Sequence, residues 1–323
     1  MTYRIARQVI IALWVATGIG AAGAQTYPSK PIRLVIPFAP GGTFDLVGRV
    51  ISPSLSEKLG QQVVVDNRPG GGTILATEIV AKANPDGYTL LLGSNVLATN
   101  PSLRKDLPYN SAKDLAPIAL LATQAFAIVA SVNFPASSVQ DLISVAKSRP
   151  GEIAFASAGV GSTGHIAAEL FMAMAKVKLI HVGYKSGGQS VTAVLGNQIP
   201  LVFTGLPNVY THMKAGRLKI LGVTDQQRSS IAPEIPAVSE TVAGYEFSNW
   251  FGVLAPSGTP AKIRALLESE LLNVIKVAEV QKTLLNRGFG VMALSAPNFA
   301  SLIHSDTVKY GKVIKEAKLE LTF

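Results

Sequence analysis

From Pro31 onward the chain repeats one unit: a short β-branched or apolar run, a glycine-rich or polar turn, then an amphipathic segment of helical length. Strands alternating with helices in this way build parallel sheets flanked by helices, so the rhythm confines the chain to the α/β class. IRLVIPF (32–38) reads as a strand, PGGTFD (40–45) as its turn, and residues 46–60 as a helix that Pro53 should distort or shorten. QQVVVDN (61–67) and YTLLLGS (88–94) add two strands around a helix within 68–87. A second unit starts near Gln124 with a strand over 125–132. It continues as helix 138–149, strand 152–158, helix 165–176, strand 178–184, helix 189–197, strand 199–205, helix 209–216 and strand 218–224. After the apolar run FGVLAP (251–256), helices are expected over 260–277 and 297–317, packing back on the first unit. The layout divides into domain I (25–123 and 251–323) and domain II (124–250), with at least two crossings and hence a cleft, the usual place for a small ligand.

The first 24 residues read differently. Arg4 and Arg7 precede an apolar run from Val9 to about Gly20, and Ala22-Gly23-Ala24 follows, the three parts of a cleavable secretory signal peptide. The run is too short to span a bilayer, so a periplasmic location is expected. The chain carries 29 Lys and Arg against 20 Asp and Glu, a net charge of +9. These charges are scattered and not gathered into basic runs interleaved with aromatics, which argues against nucleic acid and for anionic solutes. Cysteine is absent, which removes disulfides, thiolate chemistry and the usual structural zinc site. The histidines at 165, 181, 212 and 304 show no spacing that would pair them on a metal, and no metal or cofactor is expected.

The stretch FASAGVGSTGH (155–165) contains a complete G-x-G-x-x-G in Gly159, Gly161 and Gly164, set between a strand and a helix. A dinucleotide site would also need an acidic residue about 20 positions on to hold the ribose. Between Glu169 and Asp225 the chain has no Asp or Glu at all. Catalysis would recruit Ser162 as nucleophile and His165 as base, an exported serine hydrolase, although the G-x-S-x-G spacing is missing. A cap for the helix from Ser162 or Thr163 is the structural counterpart of that assignment. The arrangement that explains more is an anion cradle. PFAPGGTFD places Gly41, Gly42 and Thr43 at a strand end before a helix, and SAGVGSTGH repeats this in the second unit, so two helix N-termini could face one carboxylate-bearing ligand. Asp45 would cap or electrostatically support its own helix start.

Six segments carry a resemblance over essentially the whole chain beyond the leader: residues 27–49, VVVDNRPGGGT (63–73), NPDGYTLLLGS (84–94), FASAGVGSTGHIAAELF (155–171), HVGYKSGG (181–188) and WFGVLAPSGTPAKI (250–263). With these the chain resembles the extracytoplasmic solute receptors of the tripartite tricarboxylate transporter family, the Bug-type receptors. The resemblance implies a two-domain periplasmic-binding-protein fold of the Venus-flytrap, type II-like kind. It also implies no catalysis, a ligand that is a di- or tricarboxylate or an aromatic carboxylate, and delivery by a monomeric receptor to the permease subunits in the membrane. The family's first loop maps onto Gly41, Gly42, Thr43 and Asp45, and its second onto Ala158, Gly159, Gly161, Ser162, Thr163 and His165. Ser94 and Asn95 would line the first domain's wall. Family members commonly carry an Asp after G-Q-V and another further on; this chain has Asn197-Gln-Ile-Pro200 and then Thr204, so Thr204 stands at the cleft-side strand end without a negative charge. HVGYKSGGQS departs from the family pattern at Gly183, Ser186 and Gln189.

Overall fold

The computed structural model describes residues 27–229 and 231–319. The leader expected over 1–24 lies outside them. The first lobe opens with β1 (Ile32–Ile36), α1 (Thr43–Leu59), β2 (Val63–Asn67), α2 (Ile74–Ala81) and β3 (Thr89–Gly93). β1 lies parallel to both β2 and β3, with Leu34 opposite Val65 on one side and Leu90 on the other. A strand paired on both edges and covered by helices has no solvated face, and Ile32, Leu34, Val35 and Ile36 are all completely buried. α1 is not shortened by Pro53: it runs 17 residues and closes on Gly60, whose φ of 67° provides the left-handed C-cap. The expectation of a shortened helix is corrected, because the ring removes one backbone donation while the remaining turns bury Phe44, Val47, Ile51 and Leu55 against the sheet.

After α3 (Val96–Leu103) and the single turn α4 (Ser111–Asp114) comes β4 (Leu115–Ser131), 17 residues long. The sequence pattern assigns no strand to residues 115–124. Pro117 argues against strand in a sequence, and it is accommodated here at a register shift between Pro117 and Ala119, where the ladder needs no N–H. The second lobe contains α5 (Val139–Ser148), β5 (Ala154–Ser157), α6 (Thr163–Ala175), β6 (Ile180–Gly183), α7 (Gly187–Leu195), β7 (Leu201–Gly205), α8 (Pro207–Lys214) and β8 (Leu218–Val223). β5 runs parallel to β6 and to β7. β9 (Ser248–Pro256) returns the chain to the first lobe between β3 and β4. α9 (Ala261–Val274), α10 (Ala278–Asn286), β10 (Gly290–Ser295) and α11 (Ala296–Glu316) follow. α10 and β10 occupy what the sequence offered only as a connection, and β10 adds to the edge of β4.

β4 is central to both sheets. Residues up to Ala125 pair with β9, and residues from Phe126 pair with β7. α11 spans the same junction: Phe299 packs edge-on to Trp250, while Tyr310, Val313 and Ile314 join the core that holds Phe126, Phe171 and Phe247. Trp250 donates its indole N–H to Asp306 Oδ2 at 3.0 Å, and both residues are buried. The loops that follow β1 and β7, at Gly41 and Pro207, leave the C-terminal ends of parallel strands, the end at which open α/β sheets bind ligands.

The third glycine of the G-x-G-x-x-G serves packing. A Cβ at Gly164 would stand 2.2 Å from the carbonyl oxygen of Phe203, backbone that cannot rotate away, so only glycine lets α6 lie this close to β7. Gly164→Ala is expected to lower stability by about 1–3 kcal/mol, the usual cost of overpacking. Urea unfolding of the variant checks it, and an unchanged midpoint would refute the contact.

Candidate functional site

β1 ends in the turn Ala39-Pro40-Gly41-Gly42, and α1 starts at Thr43. Gly41 takes a φ of 85°, a left-handed value that favours glycine, and Gly42 is an extended N-cap with no side-chain cap. Asp45 fills that gap from within the helix. Its Oδ2 accepts from Gly41 N–H at 3.0 Å and from Arg49 Nε at 2.9 Å. The Arg49 guanidinium, followed by the Gly41 amide, outweighs burial and holds this carboxyl below the usual range. Asp45 is 5% exposed, so a charge this close to the cleft is compensated locally by its own arginine.

The second loop is braced in the same way by different chemistry. Ser162 caps α6, its Oγ accepting from His165 N–H at 3.4 Å and donating to Ser157 Oγ at 3.2 Å. His165 Nδ1 accepts from Gly161 N–H at 3.0 Å, and its Nε2 lies 3.3 Å from Glu169 Oε1. Gly159 and Gly161 have φ values of 112° and 74°, which let the loop double back onto this ring. His165 stacks on His181 with ring centroids 3.8 Å apart, and His181 Nε2 lies 2.7 Å from Ser157 Oγ. Burial, reinforced by the neighbouring His165, pushes the His181 ring down to about 4. Spacing gave no hint of this pair; the parallel neighbours β5 and β6 bring it together.

These contacts remove the hydrolase alternative. The Ser162 side chain makes no hydrogen bond to the His165 ring, and both ring nitrogens already have other partners.

Between the lobes lies a cavity of about 580 Å³. Gly41, Gly42, Thr43 and Leu46 face it from the first lobe, Asn208, Tyr210 and Ile231 from the second, and Arg287 and Phe289 from the turn after α10. Gln124 also lines it, at the change of partners in β4. Among the described residues no acidic side chain lines it, and Arg287 contributes a cation. Of the residues expected from sequence, Gly41, Gly42 and Thr43 fall on this wall. Ala158, Gly159, Gly161, Ser162, Thr163 and His165 sit at the end of β5 and Thr204 near the end of β7, the same end of the second sheet but not on the lining of this cavity. Thr204 is 4% exposed, and Ser94 and Asn95 are 3% and 2% exposed; neither side-chain polar atom of Asn95 has a hydrogen-bond partner among the described residues. Gln124, Asn208 and Arg287 were missed. Gln124 did carry a signal, a carboxamide inside the apolar run from Ile118 to Ala130.

Two α/β lobes joined by crossing strands, with a cavity between them, define the class of periplasmic-type solute-binding receptors. The family model described as tripartite tricarboxylate transporter family receptor matches residues 47–319, and the chain belongs to that family. It is 34% identical over 319 residues to protein BugT of Bordetella pertussis, covering 97% of both chains. The structure of Rpa4515 of R. palustris with adipate is similar with a TM-score of 0.81 at 31% identity, covering 91% of this chain and 100% of that one. MatC of Rhodopseudomonas palustris with bound malate is similar at 0.76 and 26% identity, covering 89% and 100%. The protein is a solute receptor and not an enzyme. No helix among the described residues is long and apolar enough to cross a membrane.

The histidine stack makes stability depend on pH. The folded ring binds its proton near 4 while the unfolded ring binds it near 6.5, so the contribution is complete above pH 6.5 and is lost as pH falls toward 4. Because the ring is partly exposed, the full linkage is discounted to on the order of 1 kcal/mol. The melting temperature of His181→Asn should fall less between pH 7 and pH 4.5 than that of the parent. Parallel curves would show that the ring titrates normally.

Proposed function

We propose that the protein is a periplasmic receptor for a small organic carboxylate, which it delivers to the membrane permease of a tripartite tricarboxylate-type transporter. The observation that carries this reading is the acid-free cavity, which has the N-terminus of α1 on one wall and Arg287 on another. A helix start favours a negative charge through its unpaired amides and its dipole. The adipate and malate held by the two similar structures support the same ligand class. In this reading residues 1–24 direct export, domain I comprises 25–123 and 251–323, domain II comprises 124–250, and the receptor works as a monomer. Gly41, Gly42 and Thr43 receive one carboxylate. The loop of Ala158, Gly159, Gly161, Ser162 and Thr163 closes on the other end as the lobes approach, with Ser94, Asn95 and Thr204 completing the walls.

The ligand lacks an ammonium group. Thr204 offers no charge, no acid occurs between Glu169 and Asp225, and Asp45 is committed to Arg49 and Gly41. A buried ammonium without a counter-charge loses hydration that nothing replaces.

Screening carboxylates by melting temperature tests the ligand class, since a ligand at about 100 times its Kd should add about 2.7 kcal/mol of stability. A library that moves the melting temperature nowhere overturns it. Calorimetry with succinate against aspartate, and glutarate against glutamate, tests the charge rule. Succinate and glutarate should bind more tightly, and tighter binding of both amino acids would refute it.

A further inference from the structure

The two edges of β4 pass from lobe to lobe in different ways. On one edge β8 gives way to β9, and the Phe247 N–H closes the join by donating to the Thr224 carbonyl at 2.8 Å. On the other edge β7 and β10 lie end to end. β7 leaves the ladder after Gly205, opposite Phe126, and β10 enters it at Gly290, opposite Thr123. Gln124 stands at the gap, 3% exposed and with its Nε2 unpaired among the described residues. Across this gap the lobes meet where the turn after α10 touches the start of α8. A Cβ on Gly288 would overlap Pro207 Cγ and would stand 2.9 Å from Pro207 Cβ and 3.2 Å from Ile231 Cδ1. The proline ring has no rotamer that takes it out of the way. Gly288 has a φ of 76°, as residues that close a helix C-terminus often do, and Gly216 after α8 has 67° with nothing within 4 Å of its Cβ position. The backbone conformation is common to both glycines, and only at Gly288 does the missing side chain make room for the other lobe.

We infer that Gly288 and Pro207 form a hinge stop, the contact that sets how closely the two lobes approach along the β7 and β10 edge of β4. The edge joined at Thr224 is a tie and the edge that meets at Gly288 is a stop, so the waist resists parting on one side and closing on the other. The two edges are two strand spacings apart, about 10 Å. A methyl group at position 288 needs about 1 Å more room to reach ordinary carbon–carbon separation. With the Thr224 edge tied, that room comes from turning one lobe against the other by about 6°. α10 arrives at the contact and α8 leaves it, so the spacing of these two helices reports the turn. The inference concerns how the lobes meet and not what they bind, and its failure leaves the carboxylate reading untouched.

Because the chain has no cysteine, spin labels can be placed on Glu279→Cys of α10 and Thr211→Cys of α8, both exposed positions, and the distance between them read by pulsed electron paramagnetic resonance on the ligand-free protein. Gly288→Ala should lengthen the mean distance by about 1–2 Å. Gly216→Ala, which carries the same positive-φ strain without the contact, should leave it unchanged. Adding Pro207→Gly to Gly288→Ala should restore the parent distance. An unchanged distance in folded Gly288→Ala, an equal change in Gly216→Ala, or a change that Pro207→Gly does not reverse overturns the stop. Where Gly288→Ala does not fold, Pro207→Gly alone decides the matter: without the ring the distances should shift shorter, and a distribution identical to the parent's overturns the stop.

Discussion

Backbone hydrogen bonding along β4 is the constraint on which the rest of the molecule depends. A buried strand must pair every N–H and C=O, and a strand that passes from one sheet into another must change partners without leaving any exposed. The exchange happens within three residues. Ala125 is the last partner of β9, opposite Ser248, and its carbonyl accepts from Leu206 N–H at 2.8 Å. Phe126 N–H donates to Thr224 Oγ1 at 3.0 Å, and Thr224 N–H returns a bond to the Phe126 carbonyl at 2.9 Å. Phe247 N–H then donates to the Thr224 carbonyl at 2.8 Å as its chain re-enters the first lobe. One threonine therefore joins three segments at the waist, and the lobes are coupled through one continuous strand. The helix α11, tied to β9 by the Trp250–Asp306 hydrogen bond, packs across the same waist.

The same exchange places polar side chains where an apolar core would otherwise continue. Upstream and downstream of the crossing, β4 projects apolar side chains to both faces, and Ile118, Leu120, Leu121, Ile128 and Val129 are all completely buried. At Gln124 one face opens on the cavity, so the residue is enclosed by protein and still in reach of a ligand. Low exposure with an unpaired amide is the signature of such a position.

The α/β class, the parallel strands and both glycine turns were legible because they follow from short-range chemistry: apolar runs of five residues, glycines with positive φ, and helix starts after small polar residues. Gly41, Gly42 and Thr43 reached the cavity for that reason. What stayed hidden depended on distant partners. Residues 115–124 became strand because β9 and β10 supply both ladders, despite Pro117. α10 and β10 were unreadable between two longer helices, and with them Arg287. The contact of His165 with His181 needs β5 and β6 side by side, a long-range fact that no local pattern carries.

The two glycine turns are built on one plan with opposite electrostatics. In each, the amide of a positive-φ glycine is held by a side chain four residues on, Gly41 by Asp45 and Gly161 by His165. Holding a loop from its own helix fixes the remaining first-turn amides in direction before any ligand arrives, and pre-organisation of this kind lowers the entropic cost of binding. An uncompensated carboxylate at a helix start would repel any anion that approached it, and Arg49 answers that by drawing the Asp45 charge outward along α1. The second loop uses a neutral brace instead. Its imidazole must stay unprotonated at Nδ1 to accept from Gly161, and Glu169 on the far nitrogen fixes the tautomer that allows this. His181, stacked flat on that ring and held neutral by burial, adds no positive charge to the loop.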